Sequence, residues 1–285
     1  MAGKDPDIEQ KVPYDDFIQK APLFEQTNKE YLKGLQYYSY IARYLPGASI
    51  GTFSKGIKYM DGRLIRLSEN HGSITDLLVR AFGEGGGKFF FRYGLNVELH
   101  VTDSNAYISP KPRGSLGDSS YRKWVMENIY RYDCSLPVNR GNELFRFMQE
   151  DLCRYFNLRV SIEKKEVPCF VLRCVNRELL AAKRNFENRP SYQAILRDSI
   201  LTDSIYMKNS SVNFFVTSLR SEIFHAGMKK PLVDKTEYTG NIDLVKPVDG
   251  IKSIAAYNAH LRQFGLEICE EMAVTEFLVV KEKTD

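Results

Sequence analysis

NELFRFMQEDLCRYFNLRVSIEKKEVPCFVLRC, residues 142–174, holds the clearest periodic pattern in the chain. Phe145, Met148, Leu152 and Tyr155 recur at spacings of three and four, so one apolar face of a helix is expected over Asn142 to Phe156. Behind it, Leu158 to Glu163 and Pro168 to Cys174 read as two strands joined by a charged turn. The same grammar returns at the far end of the chain. Ser253 is placed to cap a helix ending at Phe264, and strands are expected near Leu266 to Glu270 and Thr275 to Lys281. Phe156-Asn157-Leu158 matches Phe264-Gly265-Leu266. The pattern predicts a repeated helix-strand-strand unit. A helix beside a two-stranded hairpin cannot bury its apolar face alone. The expected class is therefore α+β, with repeated modules packing helices on antiparallel sheets.

Outward from these anchors the signals are local. Ser204 to Met207 reads as a strand, Ser210 or Ser211 as the cap of a helix through Phe215, Leu219 and Ile223, and Leu232 to Asp234 and Ile242 to Leu244 as short strands. This forms a third, weaker copy. Ser73 caps a helix through Leu77, Leu78 and Ala81 to Phe82, which stops at Gly83, Gly85, Gly86 and Gly87. Asp61-Gly62 can turn a hairpin between Ile57 to Tyr59 and Arg63 to Leu67. Strands are also expected at Leu35 to Leu45, Leu95 to Val101 and Ile129 to Leu136, a short helix at Tyr14 to Lys20, and a long irregular connection over Thr102 to Lys123. Asn176 to Asp203 turns polar and aperiodic and reads as a linker. The expected division is an extension over 1–45, module pairs over 46–175 and 204–285, and a linker over 176–203.

Composition narrows the function classes. Of the 285 residues 43% are hydrophobic and 27% charged, with 17 Tyr and 17 Phe, which excludes disorder, collagen and coiled coil. Forty basic against 36 acidic residues leave a charge of +4, too dilute to indicate a nucleic-acid partner. No apolar run is long enough for a transmembrane span. Cys134, Cys153, Cys169, Cys174 and Cys269 include no two separated by two residues, so neither a redox CxxC nor a zinc knuckle is present. They read as packed thiols.

Several motifs match chemistry only in letters. Gly47-Ala48-Ser49-Ile50-Gly51 fits GxSxG, yet no apolar helical stripe follows to carry a nucleophile elbow. Gly83 to Lys88, GEGGGK, follows a helix instead of opening one and has no Ser or Thr after Lys88, so it reads as a turn, not a phosphate loop. His71, His100, His225 and His260 are too scattered for an HExxH-type metal site. Glu270 with Glu271, and Glu222 near Asp234, are carboxylate pairs typical of solvated turns. Tyr130, Arg131 and Tyr132, with Arg154 and Tyr155, could stack bases but fit strand and helix periodicity equally. No catalytic residue, cofactor or metal is expected.

Residues Arg131 to Leu172, the motif PLVDKTEYTGNID at Pro231 to Asp243, and the terminal LRQFGLEICEEMAVTEFLVV resemble a known family. It is the domain of unknown function of Bacteroidetes envelope proteins, found C-terminal to the thioredoxin fold in TlpA-like thiol-disulfide oxidoreductases. The resemblance runs from about Leu35 to the end. Its signature residues in this chain are Asp234, Lys235, Thr236, Tyr238, Thr239 and Gly240, read as a strand, a turn and a strand, and family sequences carry Gly where this chain has Glu237. The resemblance implies a non-catalytic accessory domain in the periplasm or cell envelope, with a targeting segment and an upstream domain expected ahead of it. Its implied partner is an envelope protein or a thioredoxin-fold domain. Two alternatives stand beside it: a thiol-redox role through an exposed cysteine, and small-ligand binding between modules by aromatics such as Tyr130, Phe170 and Phe277.

Overall fold

A computed structural model describes residues 37–44, 56–60, 63–86, 88–108, 119–182, 191–197, 200–247 and 250–283. The expected helix at Tyr14 to Lys20, the Asp61-Gly62 turn and the GxSxG segment lie outside them. The fold is α+β. The chain divides into two compact units, the first within Met1–Phe89, Glu98–Ser161 and Leu278–Asp285, the second within Phe90–Val97 and Ile162–Phe277.

In the first unit, strands β1 (Tyr38–Arg43), β2 (Gly56–Met60), β3 (Arg63–Ser73) and β5 (Ile129–Ser135) form an antiparallel sheet in the order β1-β5-β3-β2. The expected hairpin is β2 with β3. Helix α1 (Ile74–Phe82) starts where the sequence says it should: Ser73 Oγ accepts from Asp76 N at 3.1 Å while Asp76 Oδ2 accepts from Ser73 N at 3.1 Å. It ends at Gly83, and Glu84 to Gly86 form a turn in which Gly85 has φ 74° and its carbonyl takes a hydrogen bond from Arg80 Nη1 at 2.9 Å. Helix α2 (Ser119–Asn128) corrects the expectation of an irregular connection through Lys123. Its Tyr121, Trp124 and Val125 are buried at helical spacing, a signal hidden behind the Ser, Gly and Pro residues that precede them. Helix α3 (Leu144–Tyr155) occupies the expected place with its face rotated: Leu144, Met148, Asp151 and Leu152 are buried and Tyr155 is exposed. Asp151 tolerates burial because the Tyr132 hydroxyl donates to it at 3.0 Å. The helix is tied to α1 by Gln149 Nε2, which donates to Ala81 O at 3.0 Å.

The largest correction concerns the two expected terminal hairpins. Leu158 to Cys174 is one unbroken strand, β6 (Leu158–Cys174), and Leu266 to Glu282 is another, β11 (Leu266–Glu282). They run antiparallel: Asn157 O accepts from Lys283 N at 2.9 Å, Lys165 lies over the Phe277 ring and Arg173 pairs with Glu271, one number rising as the other falls. Glu163, Lys164, Lys165 and Glu166 contain no residue suited to a tight turn, and in β6 they alternate between half-buried and exposed as a strand demands. Pro168 is tolerated because the neighbouring strand begins to pair with β6 only at Phe170. With β4 (Val97–His100) and β9 (Leu232–Lys235), the long strands make a sheet in the order β4-β11-β6-β9. Because β6 and β9 are parallel, this sheet is mixed and not antiparallel as expected.

The second unit also holds a three-stranded antiparallel sheet of β7 (Ser191–Arg197), β8 (Ile200–Ser211) and β10 (Asn241–Pro247), in the order β10-β8-β7. The segment 176–203, expected to be a linker, contributes β7 and a short helix α4 (Arg177–Ala182). Helices α5 (Val212–His225) and α6 (Ile254–Leu261) are capped by Ser211 and Ser253. They bury Phe215, Leu219, Ile223, Tyr257 and Leu261 in one core with Phe170, Leu172, Leu232 and Leu266.

Candidate functional site

The signature motif is a turn built from its own side chains. Asp234, near the end of β9, accepts from Thr236 N at 2.9 Å, and Thr236 Oγ1 accepts from Tyr238 N at 3.4 Å. Tyr238 folds its ring over Gly240, where an added Cβ would stand 2.9 Å from the ring, and its hydroxyl donates to Asn241 O at 3.4 Å. Gly240 O accepts from Val212 N at 3.3 Å at the start of α5. Asp234, Thr236, Tyr238 and Gly240 thus shape the backbone, and Thr239 is exposed. Lys235 directs its charge to Glu271 Oε1 at 2.7 Å.

Around this turn lies an open cleft of about 390 Å³ lined by Arg173, Cys174, Arg177, Lys235, Thr236 and Glu237. Its assembly follows from strand direction. β6 and β9 run in parallel with Leu172 opposite Asp234 and Arg173 opposite Lys235, so both strands end at the same place. Arg173 and Lys235 consequently share one carboxylate, Glu271 of β11. Hydrogen bonding from Lys235, with the Arg173 and Lys235 charges, holds that carboxyl below its usual range. Beyond β6 the chain turns where Gly265 O accepts from Val175 N at 2.8 Å and Asn176 N at 3.2 Å. Asn176 Oδ1 then accepts from Glu178 N and Leu179 N, at 3.1 and 3.2 Å, opening α4 with Arg177 at its first position. Among the described residues that line the cleft there is no histidine to serve Cys174 as an imidazole base.

No family model, curated protein or solved structure matches the chain.

The other sequence candidates resolve into separate places. Tyr130, Arg131 and Tyr132 are buried in β5, where Arg131 lies over the Tyr40 ring, so they offer no stacking platform. Phe170 belongs to the core of the second unit. Glu270 pairs with Lys230, and Asp234 is spent on its turn while Glu222 accepts from Ser218 Oγ at 3.0 Å. His225 Nδ1 meets Ser221 O and His260 meets Val245 O, both within their own surroundings. Among the described residues no group of three or more His, Cys, Asp or Glu is arranged to hold a metal ion, and no helix is long and apolar enough to cross a membrane. Sequence reasoning does not single out Arg173 or Arg177, and it meets Glu271 only as half of a carboxylate pair with Glu270. Their only shared signal is proximity to the ends of predicted strands, and the parallel register that gathers them is not written in any local spacing.

Glu237 has φ 54°, in the left-handed region that glycine enters freely and a β-carbon makes costly. Glu237→Gly is expected to raise stability by about 1 kcal/mol, the left-handed penalty less glycine's extra chain entropy. Urea unfolding of the two proteins checks it. An unchanged or lower midpoint would mean that the turn carries no strain at this position.

Proposed function

We propose that this chain is a non-catalytic interaction domain of the bacterial cell envelope that works beside a thioredoxin-fold thiol-disulfide oxidoreductase of the TlpA-like kind. The observation that carries the reading is the cleft at the ends of β6 and β9: it is open and lined by charged side chains, and among the described residues that line it no nucleophile is paired with a histidine base. Such a surface suits recognition. The setting and the partner come from the resemblance, whose most specific stretch, PLVDKTEYTGNID, supplies one wall of that cleft. A photo-crosslinking residue at exposed Thr239, introduced in the native host, tests the proposal. Recovery of a thioredoxin-fold protein crosslinked in the envelope fraction is the expected result, and a chain confined to the cytoplasm or crosslinked to no such protein overturns it.

A thiol-redox role is the second reading, and one observation favours it: Cys174 lines the open cleft beside Arg173, Arg177 and Lys235, where a partner's disulfide could reach it. The other thiols point the opposite way. Burial pushes the Cys134 thiol up to about 12 and raises Cys153 and Cys169. In native protein these three are expected to alkylate only after unfolding, as read by mass spectrometry. A mixed disulfide between Cys174 and a thioredoxin-fold protein would transfer the assignment to the redox reading.

The same burial has a pH signature. Cys134 in the unfolded chain ionises near pH 8.5, whereas the folded thiol holds its proton to about 12. Between those values the folded state binds more protons than the unfolded, so stability is full below about pH 8.5 and falls as pH rises. From Cys134 alone the loss is about 1.4 kcal/mol per pH unit above that point. A melting temperature that falls steadily from pH 8 to 11 in wild type, and less steeply in Cys134→Ala, is the expected outcome. Parallel profiles would remove Cys134 as the cause.

A further inference from the structure

The cleft contains two charges that the fold leaves unused. Arg173, Lys235 and Glu271 neutralise one another in part, but Arg177 and Glu237, which line the same cleft, have neither an ion-pair nor a hydrogen-bond partner among the described residues. Opposite charges facing one cavity without closing on each other form a dipolar site. Glu237 is placed there at a conformational cost, since it occupies a left-handed backbone position where a glycine would be relaxed. A strained residue in a cleft is a reason to look for a function that repays the strain. The cavity, about 390 Å³, is of the size that accommodates a pair of side chains or a small ligand.

We propose that this cleft binds an extended peptide segment of the partner carrying an acidic and a basic side chain two residues apart, the carboxylate paired with Arg177 and the ammonium with Glu237. The inference rests on the interaction-domain reading and specifies what that domain recognises. Side chains two residues apart in an extended segment share one face at a separation of about 7 Å, so a strand-like ligand presents an acid and a base to the same side of a cleft. Arg177 offers a planar fork suited to a carboxylate, and the adjoining Arg173 and Lys235 bias that side of the cleft toward anions. Because the cleft is open to water, the pairing gives selectivity more than affinity and weakens with salt.

The test uses the full chain and blocked pentapeptides, acetyl-Gly-Lys-Gly-Glu-Gly-amide and its Lys→Gln and Glu→Gln forms, with dialanine and inorganic phosphate as further probes, read by NMR shift titration. The Lys/Glu peptide is expected to bind about two- to fivefold more tightly than either single-charge form, and to weaken about tenfold between 50 and 500 mM salt. Arg177→Gln should abolish the preference for the Glu-bearing peptide and Glu237→Gln the preference for the Lys-bearing one, with melting temperatures within about 2 °C of wild type because both side chains are exposed. Tight binding of dialanine with the same two mutational effects would support the dipolar site with a small zwitterion as the source. Phosphate binding equal to that of the peptides, or identical binding of all three peptides, overturns the proposal. If the Thr239 crosslink persists while every peptide fails, the proposed recognition is wrong and the interaction-domain reading survives; loss of both removes both.

Discussion

Glu69→Ala is expected to destabilise the protein by about 3–5 kcal/mol, the cost of leaving a buried cation without its counter-charge. Glu69 Oε1 lies 2.6 Å from Arg80 Nε, and both side chains are less than 10% exposed. The pair joins β3 to α1 and, through Arg80 Nη1 and the Gly85 carbonyl, to the glycine turn behind the helix. Arg80 also lies over the Phe145 ring, 6.0 Å from its centroid, on α3. Removing the carboxylate strands a guanidinium in a site that water cannot enter freely. The same logic predicts that Glu69→Leu combined with Arg80→Met costs less than either single change, because the double variant buries no charge. Urea unfolding of wild type, Glu69→Ala, Glu69→Leu, Arg80→Met and the double variant checks both statements. Single variants that cost less than about 1 kcal/mol would mean that the pair is effectively solvated.

Gly265→Ala is expected to cost about 2–5 kcal/mol, and its effect should reach the cleft. Gly265 has φ 72°, and a Cβ added there would stand 2.1 Å from the Asn176 carbonyl oxygen. Two penalties combine: a left-handed backbone for a residue with a side chain, and a steric collision that only backbone movement can relieve. The carbonyl of Gly265 also receives the amides of Val175 and Asn176, so the movement disturbs the turn that positions Asn176 and, after it, Arg177. The variant should therefore lose both stability and the Arg177-dependent preference for an acidic peptide. Gly227→Ala is the matched comparison. Gly227 has φ 77° with nothing within 4 Å of an added Cβ, so it pays only the backbone term of about 1–2 kcal/mol. Equal losses in the two variants would show that the close approach to Asn176 is absent in solution.

The two positions differ in how far sequence reasoning reaches them. The matched Phe156-Asn157-Leu158 and Phe264-Gly265-Leu266 pairs mark the same event, a helix ending in a left-handed residue before a long strand: Asn157 has φ 54° and Gly265 φ 72°. That event is local and legible. What makes Gly265 irreplaceable, the passage of Asn176 beside it, comes from a segment remote in sequence. The Glu69–Arg80 pair was likewise invisible, because a charged residue in a strand and another in a helix are ordinarily solvated and only the packing of α1 on its sheet encloses them.

Elements whose cause is local are legible in the residues. The Ser73–Asp76 capping box, the β2–β3 pairing, the stripe through Met148 and Leu152, and the caps at Ser211 and Ser253 each depend on a few neighbouring residues, and all were readable. The tertiary structure alone decided whether the charged stretches Glu163–Glu166 and Glu270–Glu271 turn or continue. A strand of alternating exposure is stable only when another strand satisfies its backbone, and β6 and β11 do this for each other. It also decided the cleft. The parallel register of β6 with β9 sets Arg173 opposite Lys235, and the Gly265 contact with Asn176 sets Arg177 beside them. Charges far apart along the chain form a site only where strand direction brings their ends together.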